Sequence, residues 1–181
     1  KMKDSQTLVS VIMNCFNSEL YLQESIESVI FQKYKNWELI LWDNCSTDNT
    51  SKVVHSFDDE RIKYFLSEKK TSLGKARNSA LKKSSGQYFA FLDSDDIWHP
   101  DRLLISINFL RKNPNYICSY SNYQFIDEHG KIIKIGHLFP QPEGYVYKKF
   151  LRIYPVNLQT LTISANAFEN LDMPFDENFS L

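Results

Sequence analysis

Between residues 8 and 92 the chain alternates strand-like runs with segments of helical period, and that alternation leaves few folds open. Residues 8–13, 37–42, 61–65 and 88–92 read as strands, the first of them almost continuously apolar. Residues 20–32 set Leu22, Ile26, Val29 and Ile30 at helical spacing, residues 46–57 offer Ser46 as an N-cap, and residues 72–84 stop before Gly86. Strands that alternate with helices imply an α/β fold, a mainly parallel sheet covered by helices on both faces. Ligands of such sheets bind beyond the C-terminal ends of the strands.

The unusual polar residues collect where those ends should lie: 14–17, 43–48 and 93–96. The last group is the sharpest, an apolar run from Phe89 to Leu92 that stops at Asp93, Asp95 and Asp96. If the chain stays extended, Asp93 and Asp95 point the same way, and two hard oxygen ligands suit a divalent cation with positions left for phosphate oxygens. Taken alone, this Asp-x-Asp serves a solvated turn, with one Asp capping the helix after Pro100, as readily as a cation. Three polar clusters at one sheet edge are harder to explain as three turns.

Beyond Asp96, residues 100–112 read as a helix and residues 116–126 alternate like a strand. Asp127 to Gly130 signals a hairpin into residues 131–135, expected to extend the same sheet towards a second substrate, and residues 137–144, with Pro140 and Pro142, read as a loop. The 181 residues, without repeat or low-complexity linker, read as one domain: 8–96 the ligand-binding half, 97–181 a partial second half. A net charge of −1 argues against nonspecific nucleic-acid binding, and no apolar run reaches membrane-spanning length. Three cysteines without Cys-x-x-Cys spacing fit reduced thiols of a cytoplasmic protein, and the four histidines are not spaced with them for zinc. No Gly-x-Gly-x-x-Gly follows the first strand, which counts against a dinucleotide oxidoreductase, and no glycine-rich basic loop suggests a nucleotidyltransferase.

In register from Val9 to Asp101 the chain resembles the inverting glycosyltransferase family 2. The resemblance runs through residues 9–17, 28–32 and 37–48, then Gly74 to Asn78, Gly86, residues 91–96, Pro100 and Asp101. It implies a GT-A fold that binds a nucleotide sugar, usually a uridine diphosphate sugar, with Mn²⁺ or Mg²⁺. By position, Asn14 (where the family usually has proline), Cys15, Phe16, Asn17 and Glu19 are identified with the first loop around the nucleotide. Phe16 is suited to a pyrimidine face, or else to a core position at a strand end. Asp43 matches the residue that accepts the imide N–H of uracil, with a turn before a helix as the alternative. Asn44 stands where a second acid is common, and Asp48 serves the helix start. Arg77 resembles the arginine that approaches the nucleotide or its phosphates, with a surface ion pair as the alternative. Asp95 is the expected metal ligand, Asp93 the contact to ribose or metal-bound water, and Ser94 the residue that shapes the turn.

The partners so implied are a nucleotide-sugar donor and a glycan or lipid-linked acceptor of bacterial surface polysaccharide synthesis. A cytoplasmic protein at the inner face of the plasma membrane, peripheral association and a homodimer are compatible with that reading. Residues 173–181 resemble the family segment just ahead of the acidic motif that carries the catalytic base, which is therefore expected past Leu181. Asp172, Asp176 and Glu177 are expected at turns and helix starts. The alternative is a nucleotide-sugar-binding module without turnover.

Overall fold

Strand β1 (Val9–Cys15) is buried on both faces, and it lies inside a six-stranded sheet of order β3 (Ile62–Leu66), β2 (Trp37–Asp43), β1, β4 (Tyr88–Phe91), β8 (Leu161–Ser164) and β5 (Cys118–Tyr120). The computed structural model describes residues 7–136, 141–150 and 156–178. Strands β2 (Trp37–Asp43), β3 (Ile62–Leu66) and β4 (Tyr88–Phe91) run parallel to β1. The connecting helices are α1 (Leu22–Ile30), α2 (Thr50–His55) and α3 (Leu73–Leu81), with α4 (Arg102–Lys112) after β4. The expected helical segments are each trimmed by a few residues at their ends.

Strand periodicity sorts the core into two layers. Val9, Val11, Met13, Leu39, Leu41, Ala90 and Leu92 face one side, against Leu22, Ile26 and Val29 of α1, Val54 of α2, and Leu103 and Ile107 of α4. Ile12, Ile40, Phe89 and Phe91 face the other, against Ala80 of α3 and Phe168 and Phe175 of the later chain. Each fully buried Val, Leu, Ile or Met side chain among these contributes about 1.5–3 kcal/mol by leaving water. The two-layer cover agrees with the mainly parallel α/β reading.

Two expectations for the second half need correction. Strand β5 (Cys118–Tyr120) ends early, because Asn122 takes the Tyr123 N–H on its own side chain at 2.9 Å and breaks the alternation. The hairpin of β6 (Gln124–Ile126) and β7 (Ile132–Ile135) then forms a separate two-stranded sheet rather than extending the main one. The place beside β4 is taken by β8 (Leu161–Ser164), antiparallel to both β4 and β5, a strand too short to show a period in the sequence. Within the expected loop 137–144, residues 137–140 lie outside those described, as do residues 1–6 and 179–181.

One buried cluster fixes the alignment of the strands at the edge away from the polar groups. Glu38, 3% exposed, accepts from Ser10 Oγ at 2.5 Å, Lys63 Nζ at 2.6 Å, Ser85 N–H at 2.7 Å and Ser85 Oγ at 2.9 Å. It thereby joins β1, β2, β3 and the entry to β4.

Candidate functional site

The parallel register brings the three polar clusters to one sheet edge. Cys15 stands beside Asp43, and the Asn44 N–H donates to the Cys15 carbonyl at 2.9 Å. Beyond this edge the loops after β1 and β2 are knotted together. Asn17, left-handed at φ 51°, donates its N–H to Ser46 Oγ at 2.9 Å and accepts the Thr47 N–H at 2.8 Å. Asparagine tolerates that conformation better than most residues. The Ser18 N–H donates to Thr50 Oγ1 at 2.8 Å and the Glu19 N–H to Asp48 Oδ2 at 3.0 Å, while Glu19 Oε2 accepts the Asn49 N–H at 2.8 Å.

This knot corrects several sequence assignments. Ser46 caps no helix, because its hydroxyl serves Asn17; α2 begins at Thr50, whose N–H and hydroxyl donate to Asp48 Oδ1 at 3.0 and 2.6 Å. Burial raises the Asp48 carboxyl, but the hydrogen bonds from Thr50 and Glu19 outweigh it and hold the group below the usual range. The Cys15 thiol lies in the core and is raised by burial, then by the charges of Asp43 and Asp48, so only its main chain faces the edge. The side chains of Asn17 and Glu19 brace one loop against the other. Phe16 presents a large apolar face, 40% exposed, with the Lys70 ammonium 3.6 Å from its ring centroid, and Leu20 and Tyr21 before α1 are exposed as well. Asn14 Nδ2 is buried without a hydrogen-bond partner among the described residues.

Asp43 is 1% exposed, and both oxygens already accept: Oδ1 from the Ser46 N–H at 2.7 Å, Oδ2 from the Tyr64 hydroxyl at 2.6 Å. A base that reads this carboxylate must share it, through the second lone pair of an oxygen. Asn44 is likewise engaged: its amide donates to the Thr71 carbonyl at 2.8 Å and its oxygen accepts the Thr71 N–H at 3.0 Å. This clasp sets the entry to α3, where Ser72 accepts the Lys75 N–H as N-cap. Tyr64 and Thr71 carried no sequence signal, since a strand tyrosine and a loop threonine acquire partners only in the fold.

Strand β4 ends at Phe91 and the chain turns, the Asp96 N–H donating to the Asp93 carbonyl at 3.2 Å. The strand period that would align Asp93 with Asp95 is therefore not kept; the carboxylates gather around a turn. Ser94 does more than shape it, because its Oγ lies 2.9 Å from Ser18 Oγ and ties the turn to the first loop. Asp95 is exposed. Asp93 faces Arg77 of α3, with Nη2 3.8 Å from Oδ1. Burial raises the Asp93 carboxyl, Arg77 lowers it and Asp95 raises it, with a net upward shift. Asp96 is pushed up to about 6, first by burial and then by the charges of Asp93 and Asp95, against a hydrogen bond from Gln159. Among the described residues no group of three His, Cys, Asp or Glu side chains could hold a metal ion.

Of the acids near the end of the described chain, Asp176 takes a turn role as expected, while Glu177 reaches across to α3 instead. Asp176 Oδ1 accepts the Asn178 N–H at 2.9 Å, and Glu177 accepts from Asn78 Nδ2 at 3.2 Å and lies 3.9 Å from Lys75 Nζ. Asn78, buried against this segment, was missed as a residue of interest.

Comparison with known proteins gives the arrangement its kin. The Escherichia coli protein named UDP-Glc:alpha-D-GlcNAc-diphosphoundecaprenol beta-1,3-glucosyltransferase WfgD is 38% identical over 168 residues, 93% of this chain and 64% of that one. The chain thus spans less than two thirds of that relative's length. Staphylococcus aureus TarS 1–349 in complex with UDP-GlcNAc shares the fold with a TM-score of 0.74 at 24% identity, over 91% of this chain and 47% of that chain. The Pyrobaculum calidifontis mannosyltransferase PcManGT, in complex with GDP-Man and Mn²⁺, does so with a TM-score of 0.66 at 17% identity, over 90% and 46%. These likenesses bear out the GT-A architecture. The model of Glycosyl transferase family 2 matches residues 10–168, which hold β1 to β4, the acidic turn and β8, and the chain belongs to that family.

Proposed function

We propose that this chain binds a nucleoside diphosphate sugar, with uridine diphosphate as the carrier, beyond the C-terminal ends of β1, β2 and β4. In this reading it is the donor-binding part of an inverting glycosyltransferase, with residues 8–96 the donor half and 97–181 part of the acceptor half. The acceptor is a glycan or lipid-linked sugar of a bacterial surface polysaccharide, handled at the inner face of the membrane. The observation that carries the reading is the turn of Asp93, Asp95 and Asp96 facing Arg77, on the same sheet edge as the exposed Phe16 ring. An aromatic face for a base, a guanidinium for phosphate and carboxylates for a cation are what a nucleoside diphosphate requires.

The acidic turn fits a divalent cation by the chemistry of its donors. Asp93 and Asp96 are both raised, first by burial and further by neighbouring negative charge, and a cation would relieve that repulsion. Mn²⁺ or Mg²⁺ would be held by Asp95, with Asp93 beside it, and would supply stabilisation of the charge that develops on the leaving diphosphate. The protein's own part is to stack the base on Phe16, to share a lone pair of Asp43 with its polar edge, and to direct Arg77 at phosphate. Stacking on an aromatic contributes about 1–3 kcal/mol per base.

A second reading, donor binding with little turnover by this chain alone, is favoured by the engagement of Asp176 and Glu177 in backbone and side-chain hydrogen bonds. A thermal-shift screen of nucleoside diphosphates and their sugars, with and without Mn²⁺, tests the main reading. Uridine diphosphate with Mn²⁺ is expected to stabilise most; adenosine or guanosine diphosphate as the best ligand would overturn the base assignment.

A further inference from the structure

Residues 175–177 lie along α3 and are held there by their backbone as well as by the Glu177 carboxylate, which meets Asn78 and Lys75. Asn78, 2% exposed, donates from Nδ2 to the Phe175 carbonyl at 2.8 Å and accepts the Phe175 N–H at 3.0 Å, so its carboxamide pairs with that residue as a strand would. Ser72 Oγ donates to the Glu177 carbonyl at 2.6 Å. Between them, a Cβ placed on Gly74 would lie 2.1 Å from the Asp176 carbonyl oxygen, so the approach admits glycine alone.

This docking sets one side chain with care. The Phe175 ring meets Phe91 edge-on, with centroids 5.7 Å apart, at the end of the strand that leads into the acidic turn. The ring also neighbours Arg77, whose Cζ lies 5.5 Å from the ring centroid while Nη2 reaches to 3.8 Å from Asp93. Arg77 carries a long side chain, and an ion pair of that length on a half-exposed carboxylate does little to hold it. A ring beside the guanidinium restrains it through cation–π attraction and by excluding other rotamers.

The geometry points to Phe175, held by Asn78 and Gly74, as a positioning residue for the donor site: it directs the Arg77 guanidinium at the Asp93 side of the cleft, where a diphosphate would lie. The inference rests on the proposed role of Arg77 and adds that the later chain, through α3, sets the affinity for the phosphate part of the donor. The base part, which sits on the first loop, is untouched by it. Segment 175–177 therefore couples the acceptor-side chain to donor phosphate recognition.

Calorimetry of the 181-residue chain with UDP and with uridine, in Mn²⁺, tests this. Arg77→Met is expected to weaken UDP about tenfold, the scale of a charged hydrogen bond, and to leave uridine unchanged. Phe175→Leu is expected to weaken UDP roughly three- to fivefold without changing uridine, and to add little in an Arg77→Met background, because the two residues act as one. Phe175→Tyr, which keeps the ring, should keep UDP affinity. Phe175→Met, which keeps the volume without the ring, should repeat the loss and serves if the leucine variant folds poorly. Equal weakening of UDP and uridine by Phe175→Met, or full additivity with Arg77→Met, would mean a general loosening and overturn the inference. An unchanged Phe175→Met beside a weakened Arg77→Met overturns the inference alone. Wild-type UDP affinity in Arg77→Met overturns the underlying reading as well.

Discussion

The Tyr64 hydroxyl donates to Oδ2 of Asp43 across 2.6 Å, which makes the carboxylate at the end of β2 a structural acceptor before any ligand arrives. Burial raises the Tyr64 hydroxyl, and the Asp43 charge raises it further, so it stays a donor across the working pH range. Asp43→Ala leaves this hydroxyl and the Ser46 N–H without their acceptor and is expected to cost about 2–6 kcal/mol, at roughly 1–3 kcal/mol for each orphaned group. Tyr64→Phe removes one donor only and should cost about 1 kcal/mol. Urea denaturation of both variants checks the order. A cost for Asp43→Ala no greater than for Tyr64→Phe would show that Asp43 does not brace the loop.

Glu38 makes the stability of the sheet depend on pH. Burial raises its carboxyl, but the bonds from Lys63, Ser10 and Ser85 together outweigh burial and leave it below its ordinary value. A carboxyl lowered in the folded state binds protons more readily when unfolded, so its stabilisation is complete above the unfolded pKa of about 4.3 and is lost as pH falls through the folded value. Chemical denaturation at pH 7, 5, 4 and 3 should show stability falling below about pH 4. Glu38→Gln should lose about 2–3 kcal/mol at pH 7, the scale of hydrogen bonds to a charge, and flatten that fall. An unaltered acid slope in the variant would assign the acid loss to other carboxylates.

The first half of the fold was readable because each of β1, β2 and β4 carries its own signal, an apolar run that ends in polar residues. The later half depends on pairings the sequence does not announce. Leu161 to Ser164 becomes a strand because β4 and β5 stand on either side of it, and the β6–β7 hairpin leaves the sheet at a polar turn around Asn122. At the site, the acidic turn and Phe16 were visible as residue types in unusual places. Their supports were not: Tyr64, Thr71, Ser18 and Asn78 are ordinary residues, and Asp43, Asn44, Ser94 and Phe175, which give them their roles, lie 21 to 97 positions away in the chain.

Arg102 holds β8 in place with a buried guanidinium. It donates to Thr162 Oγ1 at 2.9 Å and to the carbonyls of Leu161 and Gln159 at 2.8 and 3.2 Å, and it stacks 3.9 Å from the Trp98 ring centroid. Burial lowers its pKa to about 9, a sign of how little water reaches it. Lysine cannot reproduce a planar fork that serves three acceptors and an aromatic face. Arg102→Lys is expected to destabilise by about 2–4 kcal/mol, as several buried acceptors lose their donor together. Thermal and chemical denaturation would measure it, and a loss under 1 kcal/mol would mean that β8 is held by its ladder alone.

Asp95 separates ligand chemistry from folding most cleanly. It is exposed on the acidic turn, close enough to Asp93 and Asp96 for its charge to raise both. Asp95→Ala should therefore leave the ligand-free melting temperature unchanged or slightly higher, since it relieves repulsion and removes no core contact. The same variant should abolish the extra stabilisation that Mn²⁺ gives in the presence of UDP. Asp93→Ala should lose less of it, because that carboxylate already faces Arg77. Thermal shifts of the parent and both variants, with UDP alone and with UDP and Mn²⁺, provide the comparison. If all three proteins show equal shifts with and without the metal, the acidic turn is a solvated turn and not a cation site. If Asp93→Ala is the more damaging, the ligand assignment passes from Asp95 to Asp93, and the guanidinium of Arg77 would then have to move aside when the cation enters.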